Sequence, residues 1–211
     1  MSIRILIADD HPVVRQGLRQ MLAQETDLTV VAEARNGQEL LDLSKRIAWD
    51  VAVLDYNMPG KSGLELLKEL QHRYPGRPLL ILSMYPEDRY AVRALKAGAA
   101  GYLTKESAPE ELVRAIRKVA QGGRYITASL GEKLALELEG KRSGLPHEAL
   151  SDREYQILWM IASGKPGRQI ARELCLSPNT VSSYRTRILR KMKMKSNAEL
   201  MHYAFKYQLV D

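Results

Sequence analysis

The first 121 residues alternate short apolar segments with longer segments of helical periodicity, and this alternation restricts the fold more than any other feature of the chain. A strand followed by a helix, repeated along the chain, is typical of a parallel β-sheet covered by helices. Several of the short segments are apolar throughout, as expected for strands that are buried on both faces. We predict strands at residues 3–8, 29–34, 51–55, 79–83 and 101–104. Residues 1–121 should therefore form an α/β domain with five parallel strands and five helices.

Helix starts within this domain are marked by local signals. A capping residue followed three positions later by an acidic partner satisfies free amide groups at the first turn of a helix. We predict such boxes at Asn36, Ser62 and Ser107, and Pro12 marks the start of the first helix.

The chain after residue 150 is helical by the same criteria. Capping boxes begin at Ser151 and Ser196, and Ser177 precedes a proline that suits the first position of a helix. We predict four helices, near residues 152–163, 167–174, 178–193 and 197–207. Residues 149–211 should form a second, all-α domain. Cys175, the only cysteine, excludes an intrachain disulfide, and we expect it to be a small buried core residue.

Residues 122–148 separate the two domains. Residues 129–139 have the pattern of one short amphipathic helix, and residues 140–146 have the Gly, Pro and polar composition of a flexible linker. We expect a hinge between the domains at this point.

Charge is distributed unevenly between the domains. The formal net charge is +7, but residues 1–121 hold 17 Lys and Arg against 16 Asp and Glu, whereas residues 151–211 hold 11 against 5. A basic domain joined to a nearly neutral one indicates that the second domain meets a polyanion. No apolar segment approaches the roughly 18 residues of a membrane span, and the amino terminus lacks the pattern of a signal peptide. We therefore expect a cytoplasmic protein with no membrane partner.

Polar residues stand at the carboxyl ends of four predicted strands, namely Asp9 and Asp10, Asp55, Ser83 and Lys105. The carboxyl ends of parallel strands meet at one edge of the sheet, where α/β proteins bind ligands. Three crowded carboxylates repel one another, and proteins tolerate such a cluster by binding a hard cation such as Mg²⁺. A lysine and a serine hydroxyl can bind further phosphoryl oxygens while one aspartate attacks in line. These residues together predict phosphoryl transfer to an aspartate.

With these residues in view, the first domain resembles the receiver domains of response regulators over about residues 3–121. The matching motifs, in the order and spacing of that family, are Asp9-Asp10, Leu54-Asp55, Met58-Pro59-Gly60, Gly63, Ser83, Ala97-Gly98-Ala99, Tyr102 and Lys105. The resemblance implies a flavodoxin-like strand order 2-1-3-4-5 and a sensor histidine kinase as phosphodonor. Glu106 stands where many receivers have proline, a replacement typical of the subfamily with this kind of second domain.

The resemblance also implies a role for each residue of the site. Asp55 is the phosphoacceptor, assisted by Lys105 and Ser83, and Ser83 and Tyr102 form the switch pair. The expected Mg²⁺ ligands are Asp9, Asp10, Asp55 and the backbone carbonyl of Asn57. His11 follows the acids directly; a general base is one interpretation, but a residue that lines the rim of the site is the favoured one.

The third predicted helix of the second domain is amphipathic and basic. Six cations and no acid fall between residues 185 and 195, while Val181, Ile188, Leu189 and Met192 recur at helical spacing. Residues 149–208 resemble the four-helix helix-turn-helix domain of the LuxR/NarL class. The matching residues are Leu150-Ser151, Arg153-Glu154, Gly164, Ile170-Ala171, Leu174, Leu176-Ser177, Thr180-Val181 and Lys191-Met192.

This second resemblance implies that residues 178–193 enter the major groove of duplex DNA. Ser182, Ser183 and Thr186 would face the bases, and the expected phosphate contacts are Thr180, Tyr184, Arg187 and Lys191. Many relatives have lysine at the position of Ser182, and a short hydroxyl specifies a base less well than a long cation does.

The two resemblances together predict a regulator rather than an enzyme, one that assists its own phosphotransfer and dephosphorylation. Phosphorylation of Asp55 would switch dimerisation, release of the DNA-binding domain, or both. In such regulators the active form pairs through receiver faces and the last helix. Here Leu200, Tyr203, Ala204 and Tyr207 form an apolar stripe on that helix, which fits a core face as well as a dimer interface.

Two other classes remain open at this point. Aspartate-dependent phosphatases of the haloacid dehalogenase kind also place an Asp nucleophile beside Mg²⁺, but they have Asp-x-Asp there, and Asn57 lacks the carboxyl group needed to protonate the leaving group. A protein-interaction adaptor with a basic domain for RNA or protein is the other alternative, and a mobility shift on duplex DNA with a steep salt dependence distinguishes it from a DNA-binding protein.

Overall fold

The computed structural model describes residues 2–58, 61–138, 145–207 and 209–210. The chain divides into two compact units, Met1–Ala135 and Leu136–Asp211. No helix within the described residues is both long enough and apolar enough to cross a membrane.

The first unit alternates strands and helices as its sequence predicts. The strands are β1 (Ile3–Ala8), β2 (Leu28–Ala34), β3 (Val51–Asp55), β4 (Leu79–Ser83) and β5 (Gly101–Thr104). The helices that follow them are α1 (Pro12–Leu22), α2 (Gly37–Arg46), α3 (Gly63–Arg73), α4 (Glu87–Lys96) and α5 (Pro109–Ala120).

The five strands form one parallel sheet in the order β2-β1-β3-β4-β5, which confirms the predicted fold. All residues of β3 and β4 are buried, whereas most residues of the edge strand β2 are only partly buried. Apolar side chains of β1, β3, β4 and β5 pack against α1 and α5 in one core cluster, which includes Ile7, Val53, Leu82, Leu103 and Ile116. The continuous apolar segments of the sequence are thus the central strands.

The predicted capping boxes have different outcomes. Ser62 forms the complete box with Glu65. Asn36 accepts a hydrogen bond from the amide of Glu39, but the Glu39 carboxylate accepts from the amide of Arg35 instead of returning a bond to Asn36. The prediction of a capping box at Ser107 is wrong. Because Pro109 occupies the first helical position, Ala108 is the capping residue, and the Ser107 hydroxyl lies 3.2 Å from that of Thr104.

The second unit contains the four predicted helices. They are α7 (Asp152–Ala162), α8 (Gly167–Glu173), α9 (Pro178–Met192) and α10 (Asn197–Lys206). Ser151 forms a complete capping box with Glu154, and Ser177 and Ser196 each accept a bond from an amide of the first turn of their helix. The buried residues of α9 are Val181, Ile188 and Met192, as predicted, while Leu189 is only half-buried.

Cys175 is an exposed residue, so the expectation of a buried core position is wrong. It has a φ of 52° directly after α8, in the left-handed region, and the chain there turns toward α9. The amide of Leu176 donates to the carbonyl of Ala171 across this turn. A residue at a left-handed helix end points away from the core, and neither composition nor periodicity reveals such a position.

The segment between the predicted domains contains helix α6 (Ala128–Leu138), close to the predicted residues 129–139, of which residue 139 lies outside the described part. Residues 140–144 of the predicted flexible linker also lie outside it. Pro146–Ala149 form a short 3-10 helix that the linker prediction did not include. His147 in this helix shares a 2.7 Å hydrogen bond with the Tyr203 hydroxyl, so the segment packs on α10.

Candidate functional site

Three of the five polar residues at the strand ends, Asp9, Asp55 and Lys105, lie in contact at one edge of the sheet. The Lys105 ammonium Nζ lies 2.6 Å from Asp9 Oδ2 and 3.0 Å from Asp55 Oδ2, and all three side chains are less than a tenth exposed. Lys105 reaches this position because its amide donates to the carbonyl of Ser83 at the end of β4. Ser83 is buried, and the side chain of Lys105 is only 7% exposed.

Burial and charge crowding perturb the central carboxyl group. Desolvation and, to a smaller extent, the negative charge of Asp9 together raise the pKa of Asp55 to about 7, against the opposing effect of Lys105. The Asp55 Oδ1 atom accepts a hydrogen bond from the amide of Asn57 at 3.2 Å. The backbone that follows β3 therefore helps to orient the Asp55 carboxylate. A carboxyl group with this pKa favours its ionised form at neutral pH only when additional positive charge is present.

The acids and His11 form a cluster suited to a cation. Ligand atoms of Asp9, Asp10, His11 and Asp55 all lie within 4.8 Å of one another. The three carboxylates, two of them buried, are the oxygen donors that Mg²⁺ prefers, and burial together with the negative charge of Asp9 raises the pKa of Asp55. These residues therefore fit Mg²⁺.

His11 lies on the outer side of this cluster. Its Nδ1 atom is 3.0 Å from Asp9 Oδ1 and 2.9 Å from Asp10 Oδ1, but 3.9 Å from Asp55 Oδ2. The ring is 58% exposed, so His11 lines the rim of the site.

Gly63 allows α3 to begin directly against the end of β3. A Cβ atom at this position would lie 2.7 Å from the carbonyl oxygen of Asp55 and 2.8 Å from Cα of Tyr56. Both neighbours are backbone atoms and cannot yield without moving Asp55. The glycine in the predicted motif thus keeps the Asp55 carboxylate in place. Pro59 and Gly60 of the adjoining motif lie outside the described residues.

Ser83 and Tyr102 both bind the loop between β4 and α4, and they do so at the same residue. The Ser83 hydroxyl oxygen accepts a hydrogen bond from the amide of Tyr85 at 3.0 Å, and the Tyr102 hydroxyl donates to the carbonyl of Tyr85 at 2.9 Å. Ser83 and Tyr102 are buried, and burial raises the pKa of Tyr102. A displacement of Ser83 would therefore act on the same loop residue that holds Tyr102.

Sequence reasoning missed the aromatic residues that pack beside this loop. The rings of Tyr85 and Tyr90 stack with centroids 4.6 Å apart, and Tyr56 meets both rings edge-on. Tyr56 follows the predicted phosphoacceptor directly, and an aromatic residue after a strand-ending aspartate is the signal that could have drawn attention to this cluster.

Helix α9 presents a basic and polar surface in the second unit. Five of the seven residues predicted to contact DNA are exposed, namely Ser182, Ser183, Thr186, Arg187 and Lys191, and Thr180 and Tyr184 are half-buried. The hydroxyls of Ser183 and Thr186 donate to backbone carbonyls one turn earlier, so their oxygens offer only lone pairs to a ligand. The Arg187 guanidinium lies 5.8 Å from the ring centroid of Tyr184.

Lys191, one of the predicted DNA contacts, also forms an ion pair with another helix of the same unit. Its Nζ atom lies 2.6 Å from the buried Glu154 carboxylate of α7. Burial opposes ionisation of Glu154, yet the hydrogen bonds from Lys191 and Ser151 hold its pKa below the usual range. The pair ties the start of α7 to the end of α9, a contact between residues 37 positions apart that sequence reasoning missed.

The predicted stripe on α10 is a core face rather than an open one. Leu200, Tyr203 and Ala204 are buried, and only Tyr207 of the stripe is exposed. A different face of the helix presents Phe205, 69% exposed, and Met201, 39% exposed.

Comparison with known proteins finds two family matches along the chain. Residues 5–117 match the model of the response regulator receiver domain, and residues 148–204 match that of bacterial regulatory proteins of the luxR family. The chain is 40% identical to response regulator GacA of Pseudomonas aeruginosa over 99% of this chain and 98% of that protein. It is 37% identical to response regulator UvrY of Escherichia coli, over 98% of this chain and 95% of that protein.

Among solved structures, the fold is similar to that of RcsB from Salmonella enterica serovar Typhimurium, bound to the promoter rprA in the presence of the phosphomimetic BeF3⁻. The TM-score is 0.65 at 25% sequence identity, over 96% of this chain and 98% of that chain. With both of its parts matched in order and its whole length shared with such regulators, this chain belongs to the response regulators that join a receiver domain to a LuxR-family helix-turn-helix domain.

Proposed function

We propose that the protein is a phosphorylation-controlled transcription factor in which Asp55 is the phosphoacceptor. The observation that supports this most strongly is the placement of Asp55, which ends the central strand β3 and shares the Lys105 ammonium group with the Asp9 carboxylate. A sensor histidine kinase would supply the phosphoryl group in the cytoplasm, where kinase and DNA are both accessible. The receiver assists its own phosphotransfer and dephosphorylation through the same residues.

In this proposal the acids would bind the metal ion, and Lys105 would bind the phosphoryl group that Asp55 accepts. Asp9, Asp10, Asp55 and the backbone carbonyl of Asn57 would bind Mg²⁺, which would supply positive charge to the phosphoryl oxygens. Lys105 gives up its bond to Asp55 and pairs with a second phosphoryl oxygen. A carboxylate oxygen of Asp55 attacks the phosphorus atom in line and forms a new P–O bond, while the bond from phosphorus to the imidazole nitrogen of the donor phosphohistidine breaks and the imidazole leaves.

The switch begins at Ser83 and Tyr102. A phosphoryl oxygen on Asp55 would accept a hydrogen bond from the Ser83 hydroxyl, whose proton is not used in the bond that it accepts from the amide of Tyr85. A movement of Ser83 toward the phosphoryl group would therefore draw the loop with it. A shift of the loop would then change the partner of the Tyr102 hydroxyl as well. The loop leads directly into α4, so the signal reaches a helix on the surface of the receiver.

The output proposed for the second domain is binding to duplex DNA. The exposed basic surface of α9 would enter the major groove, with Ser182, Ser183 and Thr186 near the bases. Phosphate contacts would come from Thr180, Tyr184, Arg187 and Lys191. In this proposal residues 1–121 are the receiver, residues 149–211 bind DNA, and residues 122–148 join them. Phosphorylation changes dimerisation, release of the DNA-binding domain, or both.

The test of this proposal is a mobility-shift titration on genomic DNA fragments with beryllofluoride and Mg²⁺, compared with the same protein without beryllofluoride. We expect tighter binding with beryllofluoride, with an affinity that falls steeply as salt rises, since released counterions dominate binding to a polyanion. Asp55→Asn should not respond to beryllofluoride. Equal binding in all samples, or binding without salt dependence, would refute the proposal in favour of an adaptor.

A further inference from the structure

The backbone of Asp9 is held on both sides of its Cα atom. At the end of β1, the amide of Asp9 donates to the carbonyl of Ala34 on β2 at 3.1 Å. The carbonyl oxygen of Asp9, which belongs to the peptide that joins the two metal-binding acids, accepts a hydrogen bond from Nη1 of Arg15 on α1 at 2.6 Å. The first bond holds the peptide before Asp9 and the second holds the peptide between Asp9 and Asp10, so together they restrict the direction in which the two carboxylates leave the backbone.

The Arg15 guanidinium is itself anchored at its other edge. Its Nε atom lies 3.8 Å from the Glu33 carboxylate on β2, and the side chain is only 16% exposed. Arg19, one turn later on the same helix, pairs with the other oxygen of Glu33 at 3.7 Å but is 58% exposed. Arg15 therefore contacts both Glu33 and the Asp9 carbonyl. Arg19 contacts the same Glu33 carboxylate but is more exposed to solvent.

From this arrangement we infer that Arg15 is a positioning residue for the cation site. It donates to the Asp9 carbonyl and so keeps the Asp9 and Asp10 carboxylates aimed at one point. The inference rests on the proposed function, because it assumes that these acids bind Mg²⁺. A guanidinium is suited to the task, since its planar donors can hold a carbonyl and a carboxylate at the same time in a fixed geometry.

The effect of removing Arg15 should appear in metal affinity. Groups that orient metal ligands without touching the metal typically contribute about 10–100-fold to affinity. We expect Arg15→Met to weaken Mg²⁺ binding about tenfold, at the lower end of that range. Arg15→Lys keeps the charge but has a single ammonium group, and we expect it to restore only part of the loss.

The experiment is a calorimetric Mg²⁺ titration of the full chain as wild type, Arg15→Met, Arg15→Lys and the matched control Arg19→Met. Arg19→Met loses an arginine from the same helix and a partner of the same Glu33, so we expect an affinity within about twofold of the wild type. Wild-type affinity in Arg15→Met, or equal losses in the two methionine variants, would overturn the inference. A wild type that fails to bind Mg²⁺ would instead overturn the proposed cation site together with the inference.

A second readout separates positioning from a general structural role. Phosphorylation of Asp55 by a small acyl phosphate is measured against Mg²⁺ concentration in each variant. If Arg15 acts by orienting the acids, Arg15→Met shifts this curve to higher Mg²⁺ and reaches the wild-type maximum at saturation. An extent of phosphorylation in Arg15→Met that stays below the wild-type maximum even at saturating Mg²⁺ would contradict the inference. Should Arg15→Met prove unstable, Arg15→Gln, which keeps one donor group, replaces it in both measurements.

Discussion

The Lys105 ammonium group lies 3.0 Å from Asp55 Oδ2, and this contact joins the ends of two strands that are not neighbours in the sheet. Lys105 also pairs with Asp9 at 2.6 Å, so one buried cation compensates two buried carboxylates. Before phosphorylation the pair of contacts stabilises the acidic site, and after it the same ammonium group would be available to the phosphoryl oxygens.

Removal of Lys105 should therefore destabilise the fold without abolishing it. We expect Lys105→Ala to lower the free energy of unfolding by about 3 kcal/mol at pH 8, because two buried carboxylates lose their charged partner. Adding Asp55→Asn to this variant should restore much of the loss, since only one buried charge then remains. Urea unfolding of the single and double variants measures both effects, and an unchanged stability in Lys105→Ala would show that the buried pair is not formed.

The raised pKa of Asp55 predicts a dependence of stability on pH. Its folded-state pKa of about 7 lies above the ordinary value of 3.8, so between these values the folded state binds more protons than the unfolded state. The contribution of Asp55 to stability is therefore present below about pH 4 and is lost, by a few kcal/mol, as the pH rises through 7.

Asp55→Asn removes this group, so the variant should lose less stability than the wild type between pH 5 and pH 8. The matched control is Asp50→Asn, because the hydrogen bond from Arg4 lowers the pKa of Asp50 to about 2 and Asp50 stays ionised over this range. Urea unfolding at the two pH values without Mg²⁺ tests the prediction. If wild type and Asp55→Asn lose the same free energy of unfolding between pH 5 and pH 8, the pKa of Asp55 is not raised.

Two basic residues of α9 should respond differently to substitution. Arg187 is exposed on the proposed DNA surface, so Arg187→Ala should weaken binding on all sequences and reduce the salt slope by about one, with stability unchanged. Lys191→Ala should weaken binding and also lower the free energy of unfolding by roughly 1–3 kcal/mol, since the buried Glu154 loses its partner. Mobility shifts at several salt concentrations and thermal unfolding of both variants provide the comparison.

Helix α10 has exposed apolar side chains at Met201 and Phe205, and we propose this face as a pairing surface. We expect beryllofluoride and Mg²⁺ to shift the chain from monomer to dimer in sedimentation, and Phe205→Asp to weaken that dimer, because the ring is 69% exposed and apolar. Pairing would raise DNA affinity by placing two recognition helices on adjacent half-sites. A chain that stays monomeric yet binds DNA more tightly when activated would rule out dimerisation and leave release of the DNA-binding domain as the mechanism.

The strands and their parallel arrangement could be predicted because burial on both faces leaves a continuous apolar segment in the sequence, and the acids stand directly after such segments. The order of the strands in the sheet was implied only by the resemblance to receiver domains. The contacts that support the site could not be predicted from the sequence. Arg15 bonds to a backbone carbonyl, which every residue possesses, and Lys191 pairs with Glu154 across 37 positions, so neither contact leaves a local pattern. The exposed, left-handed Cys175 was mispredicted for a related reason, since burial statistics for cysteine say nothing about backbone conformation at a helix end.

Site-resolved phosphorylation tests directly whether Asp55 accepts the phosphoryl group. The full chain is incubated with a small acyl phosphate and Mg²⁺, and the phosphorylated residue is identified by mass spectrometry in wild type, in Asp55→Asn and in wild type without Mg²⁺. We expect one phosphoryl group on Asp55 in the wild type with Mg²⁺, and none in the other two samples. Full labelling of Asp55→Asn in the presence of Mg²⁺ would contradict the assignment of Asp55, because the nucleophile would then be another residue.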